Sequence, residues 1–265
     1  MAAITATFTG PRYYDELLAP VTFGPFAQDL AARCPPRPPG PVLEIACGTG
    51  ALTRPLRARL DPSVELVATD LSAPMLEYAR ERSAGTPGLR WQQADAQRLP
   101  FPDGAFAVVA CGFGFMFAPD RVAALREAHR VLAPGGLLLF NVWDRLEENP
   151  HALVFADVVE AMFPGDAQMR FRVPYEMHDE ALLRAWLHEA GFRDVQVASL
   201  RLPIAGADPQ GLATGQIRGT PRSALIVERG VAVEEVIAAV AAALERQGGR
   251  PYTGHAQAVV VQAKR

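Results

Sequence analysis

The residues whose types and spacing can do chemistry in this 265-residue chain are two glycines at a strand end and two aspartates at the ends of later strands. The apolar run Val42-Leu43-Glu44-Ile45-Ala46 passes through Cys47-Gly48-Thr49-Gly50 into a helical stretch. Amides at such a helix start can meet a carboxylate or phosphate, and glycine permits positive φ and close approach of a ligand. The next apolar run ends in Asp70, twenty residues past Gly50, the spacing at which a carboxylate reaches a ribose hydroxyl. Ser72, followed by Pro74, is placed to cap the helix that comes next, which releases Asp70 from that task.

A nucleotide-bearing ligand follows from this pairing, and the glycine pattern says which kind. The dinucleotide fingerprint started at Gly48 calls for glycine at position 53, where Thr53 stands. Its side chain crowds the helix and strand packing that the third glycine allows, so a pyrophosphate loses its cradle. An NAD(P)-dependent Rossmann oxidoreductase is therefore the alternative from another enzyme class. A cofactor-binding module without turnover is the alternative outside catalysis, and the intact turn argues against it.

Elements of a particular kind must position these residues. Short apolar runs at 42–46 and 64–69 and strands at 89–93, 105–111 and 137–142 alternate with helical stretches at 51–60, 74–82 and 121–132, the pattern of βαβ units in a parallel sheet. The expected fold is α/β, a doubly wound, mostly parallel sheet of seven strands, the last antiparallel, with a helical cap. Three regions are expected: 1–40, N-terminal helices and a proline linker; 41–143, the cofactor-binding core; 144–265, cap insertions and the last two core strands. The prolines of 35–41 lack N–H donors and cannot continue a helix. Past Asp144, helices are expected near 150–163 and 179–190, then strands near 195–200 and 256–261 around an insertion rich in glycine and helix.

Four motifs in order resemble the class I S-adenosylmethionine-dependent methyltransferases, specifically the type 11 group related to ubiquinone and menaquinone biosynthesis enzymes. They are Leu43 to Gly50, Thr69 to Leu76, Gln93 to Phe101 and His129 to Gly136, together covering about residues 41–143. The resemblance implies S-adenosylmethionine as cofactor, with Gly48 and Gly50 against its methionine part and Asp70 on the ribose hydroxyls. It implies Leu71 and Met75 packed on the adenine, Asp95 accepting from the adenine amino group, and the Ala96 amide facing the ring. Cys111 and Phe113 leave the fourth strand at the sheet's carboxyl edge, where such folds place ligands, and Phe113 is the expected contact. Tyr13-Tyr14-Asp15 with Phe23 and Phe26 resembles the family's lid, with Tyr14 bonding the methionine carboxylate. One departure stands out: Ala46 occupies the place of the loop's first glycine, which implies tighter packing near the cofactor rather than lost binding.

Methyl transfer from a sulfonium is an in-line displacement that needs alignment and exclusion of water more than a triad. An O, N or S atom of a small-molecule acceptor is expected as nucleophile. A neutral hydroxyl requires a base, for which His151, after the fifth strand, is the candidate, with His178 and Tyr14 behind it. Trp143, Phe155, Phe163, Phe171 and Tyr175 are expected to line the acceptor pocket. Arg170, Arg172 and Arg218 read as a solvated face rather than anchors for an acidic substrate.

Composition sets the outer limits. With 49% apolar and 21% charged residues the chain has the balance of a globular protein. A formal charge of −3 excludes a broad basic surface for nucleic acid. Val236 to Leu244 is too short to span a bilayer, so no membrane partner is expected. Met1 to Gly10 has no basic segment followed by an apolar core, which points to the cytoplasm. Cys34, Cys47 and Cys111 are too scattered for disulfides or a metal site. Oligomeric state is left open.

Overall fold

The computed structural model describes residues 10–170 and 172–265; Phe171 and the first nine residues of the expected lid segment lie outside them. Helix α1 (Pro11–Tyr13) runs into a π-helix, Tyr14–Phe23, and on into α2 (Gly24–Arg33). The prolines from Pro35 onward then hold the chain out of helix. Next alternate β1 (Val42–Ile45), α3 (Thr53–Arg59), β2 (Leu66–Asp70), α4 (Ala73–Arg82), β3 (Leu89–Gln93), β4 (Phe106–Gly112), α5 (Arg121–Val131) and β5 (Leu132–Trp143). Then follow α6 (Pro150–Met162), α7 (Glu180–Glu189), β6 (Arg193–Ala207), α8 (Pro209–Arg218), α9 (Arg222–Glu228), α10 (Val233–Gly248) and β7 (Tyr252–Lys264).

All seven strands form one sheet in the order β3-β2-β1-β4-β5-β7-β6. The first five pair in parallel, and β7 runs antiparallel to β5, from Leu137 opposite Lys264 to Trp143 opposite Ala258. The strand order reverses direction between β1 and β4, so the carboxyl ends of these two strands flank the crevice where open α/β sheets take ligands. One boundary differs from expectation. Strand β5 begins at Leu132 rather than 137, because Leu132 pairs with Phe106 before a register shift that carries Ala133 to Gly136 out of the ladder.

The described chain divides into two compact units that interleave in sequence. One comprises Phe26–Asp144, Val173–Leu200 and Ala258–Arg265. Its core joins Leu30, Val42, Leu56, Leu66, Val108 and Leu139, all fully buried. Helix α7 falls in this unit rather than in a cap: it packs on α5, with Arg121 over the Trp186 ring at 5.6 Å and Arg126 paired to Glu189 at 2.7 Å.

The other unit comprises the described residues through Pro25, Arg145–Arg172 and Arg201–Gln257. Here α10 lays Val236, Ile237, Val240, Ala241 and Leu244 against α6 and α8, a stripe at helical spacing. Gly215 lets α8 approach the π-helix; a Cβ there would lie 3.0 Å from the Leu18 amide nitrogen. No helix among the described residues is long and apolar enough to cross a membrane.

Candidate functional site

Between β1 and α3 the chain turns through three left-handed residues: Ala46 (φ 55), Gly48 (φ 55) and Gly50 (φ 85). The Gly48 amide donates to Asp70 Oδ2 at 2.8 Å and the Gly50 amide to the Cys47 carbonyl at 2.9 Å. Both donors are therefore engaged within the fold; Gly48 supplies space instead, while Gly50, ringed by Arg54, Ala79 and Thr53, supplies the left-handed turn. A Cβ on Gly48 would meet nothing within 4 Å, so that face of the turn is open to a ligand. Ala46 is another matter, since a left-handed L-residue costs about 1–2 kcal/mol. Its methyl fits because residue 114 is glycine: a Cβ there would stand 2.5 Å from Ala46 Cβ and 2.6 Å from Cys111 Sγ.

Asp70 ends β2 and ties it to this turn. Its other oxygen accepts the Ser72 amide at 2.8 Å, while Ser72 Oγ accepts the Met75 amide at 3.5 Å as the N-cap of α4. Burial raises the Asp70 pKa, against the amides of Ser72, Gly48 and Leu71, which lower it. Beside it Leu71 is 51% exposed, an apolar side chain left at the rim, and Met75 is half-buried on α4.

Past β3, Asp95 Oδ1 accepts the Gln97 amide at 2.8 Å, and its second oxygen has no partner among the described residues. Ala96 beside it is half-buried. At the end of β4, Phe113 is again left-handed (φ 56), and its amide donates to both the carbonyl (3.0 Å) and Oδ1 (3.1 Å) of Asn141. The Phe113 ring stacks on Trp143 at 4.1 Å and meets Phe26 edge-on at 5.7 Å; Tyr175 lies nearly parallel to Trp143 at 6.3 Å. Phe113 is thus part of an aromatic core, and what it presents at the sheet edge is main chain. Cys111 is fully buried, and burial pushes its thiol up to about 12, so its side chain is inert.

Two residues that sequence reasoning passed over stand in this region. Glu44, 1% exposed in the middle of β1, has an oxygen with no hydrogen-bond partner, and burial pushes its pKa up to about 8. The Thr53 hydroxyl and Arg54 oppose that rise and Asp70 adds to it. Asn141 is likewise 1% exposed and leaves its Nδ2 without a partner. The available signal was a single polar residue in each of two strands otherwise apolar enough to be buried on both faces.

Ala46, Gly48, Gly50, Asp70, Leu71, Asp95, Ala96, Cys111 and Phe113 all come at or just beyond the carboxyl ends of β1 to β4. Tyr14, Phe23 and His151 belong to the other compact unit. Tyr14 and Phe23 open and close the π-helix, their rings 5.1 Å apart. His151 is not suited to the role of base. It is 2% exposed on α6, and burial lowers its pKa to about 4, against a hydrogen bond with the His255 backbone that raises it; such an imidazole is a packed interior group. His178 contacts the Tyr175 carbonyl through Nδ1 at 2.7 Å. Arg172 pairs with Glu160 and Arg218 with Glu234, so neither offers an unclaimed charge.

Comparison with known proteins decides what this site belongs to. The family described as "Methyltransferase domain" matches residues 42–136. A demethylmenaquinone methyltransferase of Staphylococcus aureus is 39% identical over 175 residues, 62% of this chain and 72% of that protein. This chain belongs to the class I S-adenosylmethionine-dependent methyltransferases. Its kinship is with the menaquinone and ubiquinone biosynthesis type. The demethylmenaquinone methyltransferase of Thermus thermophilus is 41% identical over 140 residues, and the match spans 52% of this chain and 61% of that relative. The phosphoethanolamine N-methyltransferase 2 of Haemonchus contortus, solved with phosphomonomethylethanolamine and S-adenosylhomocysteine, shares the fold with a TM-score of 0.64. It is 16% identical, over 100% of this chain and 60% of that one.

S-adenosylmethionine is accordingly the methyl donor, and the oxidoreductase alternative finds no support. The residues fit that group. The open face at Gly48 admits a close-lying tail, and the second oxygen of Asp95 can accept from an amino group. Thr53, buried where a dinucleotide site needs its third glycine, begins α3.

Proposed function

We propose that this methyltransferase transfers the S-adenosylmethionine methyl group to an O, N or S atom of a small apolar metabolite, by in-line displacement. The observation that carries the donor half of this reading is Asp70, whose carboxylate is pinned between the glycine turn and the Ser72 cap at 2.8 Å on each side. So held, it presents remaining lone pairs to ribose hydroxyls, with Asp95 toward the purine amino group and Leu71 and Met75 on its face. Bound there, the sulfonium supplies a methyl carbon already activated for attack. Gly48, whose open face meets nothing within 4 Å, gives the tail room.

The acceptor half rests on chemistry around β4 and β5. Phe113, Trp143 and Tyr175 stack and are each buried, so the ends of these strands are backed by apolar packing, and an apolar surround favours charge cancellation over separated ions. Demethylmenaquinone, the acceptor named for the relatives, lacks a methyl on a ring carbon, so its reduced quinol form is assayed beside the O, N and S acceptors as the carbon-methylation alternative. The three free cysteines, all buried, accord with a reducing compartment such as the cytoplasm.

Calorimetry with S-adenosylhomocysteine tests the donor half, and Asp70→Ala is expected to weaken binding by tenfold or more. Unchanged affinity in that variant removes Asp70 from the site. Labelled donor offered with demethylmenaquinone and with small phenols, thiols and amines tests the acceptor half. Tight donor binding without transfer to any of them would instead leave a binding module.

A further inference from the structure

The segment that carries Asp95 is held by a clip on α5 that none of the site chemistry above uses. Arg130 employs all five guanidinium donors. Nε and Nη2 reach the two Glu127 oxygens at 2.7 and 2.8 Å, Nη2 also reaches the Leu99 carbonyl at 2.9 Å, and Nη1 reaches the Phe101 carbonyl at 2.7 Å and Asp103 at 2.8 Å. Glu127 Oε2 in turn accepts the Leu99 amide at 2.7 Å. Both polar groups of the Leu99 backbone are therefore gripped by one ion pair. Fork geometry of this kind fixes orientation as well as position.

From Leu99 the restraint reaches Asp95 through a tight turn. Arg98 donates its amide to the Asp95 carbonyl at 3.0 Å, the Gln97 amide sets the Asp95 carboxylate at 2.8 Å, and Gln97 Oε1 accepts the Asp120 amide at 2.9 Å. The far end of the loop closes on the same helix terminus, where the Gly104 amide meets the Arg130 carbonyl at 2.9 Å. Most of an exposed loop's freedom is removed by these contacts. The Asp95 oxygen without a partner among the described residues is thereby held in one direction.

We infer that Arg130, with Glu127, is a positioning residue that sets the enzyme's preference for adenine by fixing the Asp95 carboxylate from a distance. The inference rests on the donor site proposed above, with Asp95 facing the purine amino group. A buried-edge hydrogen bond discriminates only if its acceptor cannot swing to suit another base. A loosened loop would let Asp95 adapt or withdraw, and affinity for adenine would fall while affinity for the rest of the ligand persisted.

The test compares two ligands by calorimetry: S-adenosylhomocysteine, and S-inosylhomocysteine, in which the purine amino group is replaced by oxygen. Wild type is expected to prefer the adenosyl compound by at least tenfold. Arg130→Met should bind it at least tenfold more weakly and bind the inosyl compound within threefold of wild type, so the preference collapses. Arg130→Lys keeps a cation beside Glu127 but loses the fork, and should give an intermediate preference even if the methionine variant fails to fold. A clip that serves stability alone would lower the melting temperature and leave the ratio of affinities untouched, and that result overturns the inference, as does a wild-type ratio in Arg130→Lys. Failure of wild type to bind either ligand is a different outcome, which removes the donor site and the inference with it.

Discussion

At the scale of single residues, the turn above β1 shows how a local rule can be broken and accommodated. Ala46 sits at a left-handed position where glycine would carry no strain, and the space for its methyl comes from Gly114, a residue 68 positions on in the sequence. Gly114→Ala should therefore destabilise the fold by about 1–3 kcal/mol, the cost of overpacking, through contacts with Ala46 Cβ and Cys111 Sγ. Adding Ala46→Gly should recover part of that loss. Thermal melts of the two single variants and the double variant form the cycle, and strictly additive effects would show that the two sites do not share this space. Of this arrangement the sequence displayed only half. The Ala46 departure was visible, but its partner was not, because a pair so far apart meets only once the sheet has formed. Asp70, Ser72 and the glycines were legible for the opposite reason, their spacing being local to one βαβ unit. The buried thiol of Cys111 and the core stacking of Phe113 were not, since burial is decided by neighbours on other strands.

At the scale of elements, parallel strands announced themselves and the long helical region did not. β3 was expected at 89–93 and runs from Leu89 to Gln93, where Leu89 and Trp91 alternate with Arg90 and Gln92 as in a half-buried strand. β6 and β7 extend well beyond their expected spans, to fifteen and thirteen residues. Their outer parts alternate in burial or carry Gly and Pro nearby, which hides them from an apolar-run criterion. The π-helix Tyr14–Phe23 was beyond reach as well. Its wide i to i+5 bonding, as in the Gly24 amide on the Ala19 carbonyl, has no composition of its own, and Pro20 within it reads as an interruption. Its packing nevertheless makes a prediction. Gly215→Ala places a Cβ 3.0 Å from the backbone and Cβ of Leu18, so α8 and the π-helix must separate. A loss of about 1–3 kcal/mol is expected from the strain, read as a lower melting temperature. A variant as stable as wild type would mean that this helix pair yields without cost.

At the scale of the whole molecule, the two compact units carry buried titratable groups that respond to pH in opposite directions. In the sheet unit, burial raises the Glu44 carboxyl to about 8, above its ordinary value near 4.5 in the unfolded chain. The folded state then holds a proton that the unfolded state has released, so stability falls as pH rises from about 4.5 to 8 and is level above that. In the other unit, burial lowers His151 from 6.5 to about 4. There the unfolded state takes up the proton first, so stability is full above 6.5 and is lost as pH falls toward 4. Acid should therefore weaken the unit containing Arg145–Arg172 and Arg201–Gln257, and alkali the unit containing Phe26–Asp144. Limited proteolysis at pH 5 is expected to cut first within the former, and at pH 8.5 within the latter. Glu44→Gln should remove the alkaline sensitivity, because its amide does not ionise, while leaving the acid response in place. Cleavage sites that do not change between the two pH values would show that the units open together, and alkaline cutting that persists in Glu44→Gln would detach the effect from that carboxyl.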